Sequence, residues 1–301
     1  MVGANLAHRL VQDGHHVSTL VRGDGVPLRL VPVEGQIRRL KADLTDGEAV
    51  RAAVAAAAPE VVFHLASTPF NPPPEAARHV AVNVLGTMHL MEALAPFPGT
   101  RVVFTGTAAQ YGDGDALHEN GPDRPSTVLG ATKCCAATLV HTYGRLHGLT
   151  TVEARLFAPY GPWERPQRLI PYTILCGLRG EPVRLGDGRQ ERDYLHVDDV
   201  VSALMRTMDA PLPSGLRLNV CSGTGVAIRT VAERILTLMG NPSELILKTS
   251  PARPDEIWKL SGDNAAARRH LNWEPRITLD DGLRSTVEWF RSHQAMAENL
   301  T

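Results

Sequence analysis

Short apolar runs and longer segments of helical period alternate along the first half of the chain. Four apolar runs predict buried strands, at 15–21, 60–66, 101–106 and 149–157. Four segments with apolar residues at helical spacing predict helices, at 3–13, 46–57, 75–95 and 126–147. Strands joined by crossover helices form a parallel sheet with helices on both faces. The pattern therefore predicts an α/β fold with a doubly wound parallel sheet.

The pattern becomes less regular after about residue 158. The stretch PYGPWERPQRLIP at 159–171 is rich in Pro and Arg, which is typical of a loop or lid beside a cleft. A strand at 218–223 and a helix at 226–240 follow. We predict a first domain over 1–157, with returning segments near 190–225, and a smaller C-terminal lobe over 158–301 that is interleaved with it.

Composition narrows the classes of partner. The 301 residues carry a formal net charge of −1, which gives no electrostatic reason to bind nucleic acid or an anionic membrane. No apolar run is long enough to predict a membrane span, and the four cysteines show neither a CxxC pair nor a metal-ligand spacing. We expect a cytoplasmic protein with free thiols, no bound metal and a small-molecule substrate. A homodimer is a candidate assembly.

Small and polar residues follow three of the predicted strands. They lie in the segments HLAS (64–67), FTGTAAQYG (104–112) and RLFAPYGP (155–162). Ligands of an open parallel sheet bind beyond the carboxyl ends of its strands. These segments are therefore expected to line one cleft.

The same segments, in the same order, resemble an extended short-chain dehydrogenase/reductase of the NAD-dependent epimerase/dehydratase family. Further matching segments are ADLTD (42–46), NVLGTMHLMEA (83–93), DGRQERDYLHVDDV (187–200), RPDEI (253–257) and LNWEP (271–275). The resemblance covers nearly the whole chain. It implies a Rossmann-like dinucleotide-binding domain followed by a substrate-binding lobe.

The resemblance also implies roles for individual positions. Thr107 stands at the position of the catalytic hydroxyl. Lys133 matches the catalytic lysine, which also holds the nicotinamide ribose. Arg192 matches an arginine that often holds a nucleotide-sugar diphosphate. The other implied cofactor-binding positions are Gly3, Asp43, Leu44, Leu65, Ala66 and Ser67. The other implied substrate-facing positions are Ala108, Leu129 and Ala158.

Three departures from the family pattern bear on function. The family's first strand and its G-x-x-G-x-x-G turn are represented only by Val2-Gly3. Two readings are open, a start upstream of Met1 and a fold that lacks this strand. Leu129 stands where the family has the tyrosine of a Tyr-x-x-x-Lys pair, and Ala158 stands where it often has asparagine. Both changes place an apolar side chain where a polar one would face the substrate.

Two arginines favour NADPH or NADP over NAD. Arg22 ends the strand at 15–21, where an acidic residue suits the ribose of NAD and an arginine suits the 2′-phosphate of NADP. Arg29 is close enough in sequence to assist. NAD stays open as the alternative cofactor.

The resemblance extends to angucyclinone-type ketoreductases of antibiotic biosynthesis, which also depart from the family's catalytic pattern. It implies an atypical NADPH-dependent ketoreductase acting on an aromatic polyketide. The alternatives are a nucleotide-sugar epimerase or dehydratase, and a non-catalytic NADP-binding relative. Because Leu129 has no proton to give, the donor is open among Tyr111, Tyr160, a bound water and a phenol of the substrate. His64 and His196 are expected to be structural.

Overall fold

The strands and helices predicted for the first half of the chain are all present in the computed structural model, which describes residues 1–68 and 75–300. The strands are β1 (Val17–Val21), β2 (Ile37–Lys41), β3 (Val61–His64), β4 (Arg101–Thr107), β5 (Gly114–Leu117), β6 (Thr150–Leu156), β7 (Ala158–Tyr160), β8 (Val183–Arg184), β9 (Glu191–His196), β10 (Leu216–Val220), β11 (Gly225–Ala227), β12 (Leu245–Ile246) and β13 (Leu260–Gly262).

The helices follow the same chain order. They are α1 (Val2–Gln12), α2 (Gly47–Ala57), α3 (Ala76–His79), α4 (Gly86–Leu94), α5 (Val128–His147), α6 (Leu169–Arg179), α7 (Val197–Asp209), α8 (Ile228–Leu238), α9 (Ala265–Leu271), α10 (Leu279–Ser292) and α11 (Gln294–Ala297). Two 3₁₀ segments span Leu28–Gln36 and Ala108–Gln110, and a π-helical segment, Val80–Leu85, joins α3 to α4.

The main sheet has four parallel strands in the order β10-β6-β4-β3. Alternate residues of β4 face opposite sides, as the two-residue period of a strand requires. Val102 and Phe104 pack with α2, α4 and α5, whereas Val103 packs with α1, α7 and α9. Burial on both faces confirms the predicted doubly wound α/β fold.

A second parallel pair, β1 and β2, forms no hydrogen-bonded ladder with the main sheet in the described part of the chain. Helix α1 packs against both sheets. Leu6 belongs to the apolar cluster of the main sheet, while Ala4 and Ala7 pack with Val21 of β1. The pattern did not predict β2, because its sequence IRRLK has only two apolar residues. Helix α1 is the first element of the described chain.

The second half contains its own apolar cluster, and its described strands form three small sheets, one of them with β5 of the first half. β9 lies between β7 and β11, β8 pairs with β12, and β5 pairs with β13. Ile174 of α6, Val231 of α8 and Phe290 of α10 share the cluster. The chain limits of the two domains stay a prediction. Across residues 1–68 and 75–300, no helix is both long enough and apolar enough to cross a membrane.

Candidate active site

The carboxyl ends of the parallel strands bring predicted site residues to one edge of the main sheet. Leu65, Ala66 and Ser67 follow β3, Thr107 ends β4, and Ala158 lies just beyond β6. Ala66 and Ser67 are exposed, whereas Leu65 and Thr107 are half-buried. The arrangement matches the cleft expected beyond the ends of an open parallel sheet.

The first turn of α1 lies against the same edge. A Cβ placed on Gly3 would lie 3.8 Å from Cδ1 of Leu65, an ordinary van der Waals contact. The N-terminal end of a helix offers free backbone N–H groups and the positive end of its dipole, a combination that suits a phosphate group. Gly3 and Leu65 therefore meet where a pyrophosphate could bind.

Lys133 is the buried cation of the site. Only 4% of its surface is exposed, its Nζ donates to the carbonyl oxygen of Thr105 at 2.8 Å, and Nζ lies 4.7 Å from the centre of the Phe104 ring. Burial lowers the pKa of Lys133 to about 8, and the negative charge of Glu153 partly offsets that effect. The ammonium group therefore lies directly beneath the end of β4.

Thr107 is held by a hydrogen-bond chain that runs into the core. Its Oγ1 accepts from the backbone N–H of Ala109 at 3.3 Å, and its own N–H donates to Oε1 of Gln110 at 2.8 Å. Gln110 Nε2 donates to Glu153, which also accepts from Arg155 at 3.0 Å. Thr107 Oγ1 is the acceptor in its bond with Ala109, so its hydroxyl proton can be offered to a ligand.

Glu153 anchors this chain as a carboxylate. Burial opposes its ionisation, but His141, whose Nε2 lies 3.7 Å away, and the hydrogen bonds and charge of Arg155 outweigh that effect and lower the pKa of Glu153 to about 2. Arg155 is fully buried and also donates to Asp123 at 2.6 Å. The position of Thr107 therefore depends on a buried ionic network that the sequence analysis did not predict.

Leu129 lies in the first turn of α5. The hydroxyl of Thr127 accepts from the N–H of Gly130 at 3.0 Å and caps the helix. A Cβ on Gly130 would collide with the carbonyl of Ala109, so the helix start is pressed against the turn that follows Thr107. Residues four apart share a helix face, which puts the half-buried Leu129 above Lys133. An apolar side chain occupies the place where the family has its acid.

The two tyrosines left open as proton donors are held elsewhere. Tyr111 donates its hydroxyl to Oδ1 of Asn219 at 2.8 Å, and burial raises its pKa to about 12. Tyr160 donates to the carbonyl oxygen of Leu279 at 3.4 Å, and burial raises its pKa as well. Both hydroxyls are directed into the protein, so the hypothesis that either replaces the missing tyrosine is wrong.

His64 and His196 are placed as the structural interpretation expects. His64 is buried beneath the sheet end, and its Nε2 lies 2.8 Å from Thr87 Oγ1. His196 caps α7, where its Nδ1 accepts from the N–H of Asp198. In both residues this hydrogen bond joins the imidazole to the protein interior or to a helix end, and not to the cleft.

Arg22 and Asp43 lie together near the ends of β1 and β2. Asp43 accepts from the N–H and the hydroxyl of Thr45 at 2.9 and 2.8 Å, and these bonds lower its pKa, with the charges of Arg22 and Arg78 adding to the effect. The sequence analysis missed Arg78, which stands on α3, far from Arg22 along the chain. Leu44 follows Asp43 and its carbonyl oxygen contacts Nδ1 of His89 at 2.9 Å.

Arg29 lies at a different place from the one predicted. Its Nε donates to the carbonyl oxygen of Trp163 at 2.9 Å, and its charge acts on the amino group of Met1. Asn5 of α1 donates to the carbonyl oxygen of Pro162 at 3.1 Å in the same region. The 3₁₀ segment turns Arg29 toward the N-terminal end of α1, where its guanidinium contacts the loop at 161–165.

The predicted substrate residues fall into two groups. Ala108 and Ala158 are buried small residues, and Ala158 pairs with Tyr194 across β7 and β9. Arg192 points from β9 toward Glu256, with Nη2 at 3.3 Å from Oε1. Glu256 also pairs with Arg253 at 3.3 Å. The second lobe thus presents two arginines around one carboxylate.

Comparisons with known proteins agree with this arrangement. Residues 1–221 match the model of the NAD dependent epimerase/dehydratase family. The chain is 31% identical over 307 residues to a UDP-glucose 4-epimerase of Mycolicibacterium smegmatis, with 97% of this chain and 96% of the relative covered. It is 32% identical over 228 residues to a dTDP-glucose 4,6-dehydratase of Streptomyces niveus, with 75% of this chain and 67% of the relative covered.

A solved structure shows the same architecture. The UDP-glucose 4-epimerase of Thermus thermophilus in complex with NAD superimposes with a TM-score of 0.88 at 26% identity, and the match covers 97% of this chain and 96% of that chain. The family match, the relatives and the shared fold lead to one conclusion: the chain belongs to the NAD-dependent epimerase/dehydratase family, whose members are NAD(P)-dependent enzymes.

Proposed function

We propose that this protein is an NAD(P)-dependent oxidoreductase of nucleotide sugars, of the epimerase or dehydratase type. The observation that carries the proposal is the position of Lys133 near the end of β4, the strand that Thr107 ends: Lys133 Nζ donates to the carbonyl oxygen of Thr105 at 2.8 Å. The UDP-glucose 4-epimerase that shares 31% identity with nearly the whole chain supports the substrate class. Arg192 and Arg253 supply positive charge for a diphosphate in the second lobe.

The residues of the first lobe fit a nicotinamide dinucleotide. Gly3 leaves the first turn of α1 without a side chain against Leu65, which keeps space for a pyrophosphate. Asp43 is suited to the adenosine end, and Arg22 beside it favours the 2′-phosphate of NADP. When bound, the nicotinamide ring exchanges a hydride with the reacting carbon of the substrate. We therefore propose NADP(H) as the preferred cofactor and NAD as the alternative.

The chain's own groups orient the reaction and stabilise charge. Lys133 is placed to hold the nicotinamide ribose, and its ammonium keeps a positive charge near the substrate oxygen. Thr107 donates a hydrogen bond to that oxygen. Leu129 excludes water from one side but moves no proton, so another group has to accept the hydroxyl proton during oxidation and return it during reduction.

A second candidate is reduction of an aromatic polyketide ketone, as by the angucyclinone ketoreductase of simocyclinone biosynthesis. Leu129 and the buried Ala158 favour it, because an apolar wall suits a flat aromatic substrate. The relatives named above act on nucleotide sugars, which is why this activity is placed second.

One panel of assays separates the two candidates. Purified protein is incubated with UDP-glucose or dTDP-glucose and either NAD or NADP, and in parallel with an angucyclinone ketone and NADPH. The proposal predicts an isomerised or 4-keto nucleotide sugar, and none from a Lys133→Met control. Oxidation of NADPH that depends on the aromatic ketone, with no change in any nucleotide sugar, would establish the second candidate instead.

A further inference from the structure

A chain of buried polar side chains runs from α3 to α5 behind the carboxyl edge. Nδ1 of His79 lies 2.6 Å from Oγ1 of Thr68. Asn83 Nδ2 donates to Thr68 Oγ1 at 3.2 Å and to Thr132 Oγ1 at 3.0 Å. Thr132 precedes Lys133, and its hydroxyl shares one proton between the carbonyl oxygens of Val128 at 2.9 Å and Leu129 at 3.1 Å. The chain therefore ends at the residue that replaces the family tyrosine.

This polar chain is built by an irregular helix. His79, Asn83 and Thr87 are spaced by four residues across the π-helical segment, and all three are at most 3% exposed. π-helical turns inside α-helices are frequent at functional sites. The wide turn keeps His79 and Asn83 directed at the same side, where Thr68 follows β3.

The donors and acceptors fix the state of the imidazole. Asn83 donates to Thr68, and the backbone N–H of Thr68 donates to Oδ1 of Asn83 at 3.1 Å. The hydroxyl proton of Thr68 is then directed at His79, which accepts it on Nδ1 and carries its own proton on Nε2. This is the arrangement of a neutral imidazole that can take one more proton through Thr68.

We propose that His79, acting through Thr68, takes up the substrate hydroxyl proton in place of the absent tyrosine. The inference rests on the proposed oxidoreductase function. During oxidation the substrate O–H bond breaks, its proton passes to Thr68 Oγ1, and the original Thr68 proton moves to Nδ1 of His79. The C–H bond of the reacting carbon also breaks, its hydrogen leaves as a hydride to the nicotinamide, and the carbonyl forms. During reduction the two protons return by the same route.

Thr68 follows β3 at the carboxyl edge of the main sheet. It follows the exposed Ser67 at the end of β3 and is itself 6% exposed, so it lies just inside the surface of the cleft edge. His79 is a positioning residue in this scheme, because it acts on the substrate only through the threonine.

The surroundings keep His79 neutral. Burial lowers its pKa below the usual value, and no other cause contributes. Among the described residues, Glu75 and Arg78 precede it in the chain, and α5, which packs against α3, carries Lys133, Cys134 and Cys135. A neutral imidazole near pH 7 is the form that accepts a proton.

The test compares His79→Gln with a matched control, His64→Gln. The two histidines are equally buried at 3%, and each contacts a threonine hydroxyl. Thr87, however, directs its proton to the carbonyl oxygen of Asn83, so the path from His64 stops there. We expect His79→Gln to lower kcat about 100-fold, with KM and cofactor affinity unchanged, and to abolish the acidic limb of the kcat profile against pH.

Two threonine variants keep the test independent of folding. Thr68→Val should match His79→Gln, and Thr68→Ser should retain activity, with thermal unfolding recorded for each. Nitrogen-15 NMR of the cofactor-free protein at neutral pH should show His79 protonated on Nε2. A His79→Gln enzyme that folds and keeps both its kcat and its acidic limb would overturn the inference, as would a proton on Nδ1.

The assay uses whichever substrate class the wild-type enzyme turns over, so the two proposals fail separately. Activity only on an aromatic ketone would overturn the nucleotide-sugar proposal. The role of His79 would then be tested by the dependence of kcat on pH in the wild type and in His79→Gln. In that case the wild-type kcat should fall as pH rises, since reduction needs the protonated imidazole, and His79→Gln should abolish this basic limb. Loss of activity in His64→Gln equal to that in His79→Gln would also overturn the assignment.

Discussion

Because Leu129 has no proton to give, another residue has to carry out the proton transfer of the reaction. Lys133, Thr107 and Arg192 match positions of the family pattern, whereas Leu129 stands where the family has its acid and Ala158 where it often has asparagine. Lys133 is too deeply buried, and too firmly bonded to Thr105, to act as the mobile proton carrier. At the scale of single residues, binding and proton transfer are therefore divided between different side chains.

Lys133 is predicted to cost stability. Its folded pKa of about 8 lies below the unfolded value of 10.5, so between these pH values the unfolded chain holds a proton that the folded chain has released, and stability rises with pH. Below about pH 8 the full cost of burying the charge remains. Lys133→Met should therefore be inactive yet more stable at pH 7, by up to about 3 kcal/mol.

Denaturant unfolding of both proteins across pH checks this expectation. The stability difference between Lys133→Met and the wild type should shrink as pH rises from about 8 to 10.5. A difference that stays constant with pH would show that the ammonium is not desolvated in the folded state.

Arg22 is predicted to select the cofactor. Replacing it with Asp should weaken NADPH binding tens-fold, because a charge-assisted hydrogen bond is worth about 1.5–3 kcal/mol, and should leave NADH binding unchanged or improved. Arg51→Asp, at an exposed arginine of α2, controls for the change in net charge. Fluorescence titration gives the dissociation constants, and equal NADPH affinity in Arg22→Asp and the wild type would contradict the role.

The start of α5 is the element that positions Leu129 and Lys133 relative to the turn after Thr107. Gly130 permits its contact with the carbonyl of Ala109, so Gly130→Ala should push the helix away from the turn after Thr107. We expect a loss of about 1–3 kcal/mol and a larger loss of activity. Gly35→Ala is the matched control, since a Cβ there meets nothing within 4 Å. Equal stability and activity in the two variants would show that this contact does not position the site.

The pattern of apolar and polar residues predicted the strands and helices better than it predicted the contacts between distant residues. Strands β4 and β6 were predictable because they are buried on both faces, and β3 because its run is apolar, whereas β2 is largely exposed and its pattern is weak. The π-helical segment could not be predicted, because its residues carry an ordinary helical pattern. The edge residues Thr107 and Ala158 follow strands directly, so topology alone placed them.

Residues brought together from distant segments escaped prediction. Arg29 was paired with Arg22 by closeness in sequence, but the 3₁₀ segment turns it to Trp163. Arg78 and Glu256 joined their partners only through tertiary packing, which no local pattern reports.

At the scale of the molecule, the division into a four-stranded sheet and the separate pair β1 and β2 predicts that the pair opens locally at a lower free energy. β1 and β2 bond only to each other in the described chain, while β4 is bonded on both sides by β3 and β6. Amides in β1 and β2 should exchange with solvent before those of β4, since small sheets open locally at lower free energy. Cofactor binding should slow exchange in β1 and β2. Hydrogen exchange followed by mass spectrometry measures both, and equal protection of β1 and β4 would contradict this view.

The central claim is that one cleft holds a nicotinamide dinucleotide and a nucleotide sugar. The most direct measurement is a crystal structure with NADP or NAD and UDP-glucose bound. The account predicts the pyrophosphate at Gly3, the nicotinamide ribose on Lys133, the sugar between Thr107 and Leu129, and the diphosphate of the sugar near Arg192. A dinucleotide bound away from Gly3 and Lys133, or a sugar nucleotide that fails to enter this cleft, would contradict it.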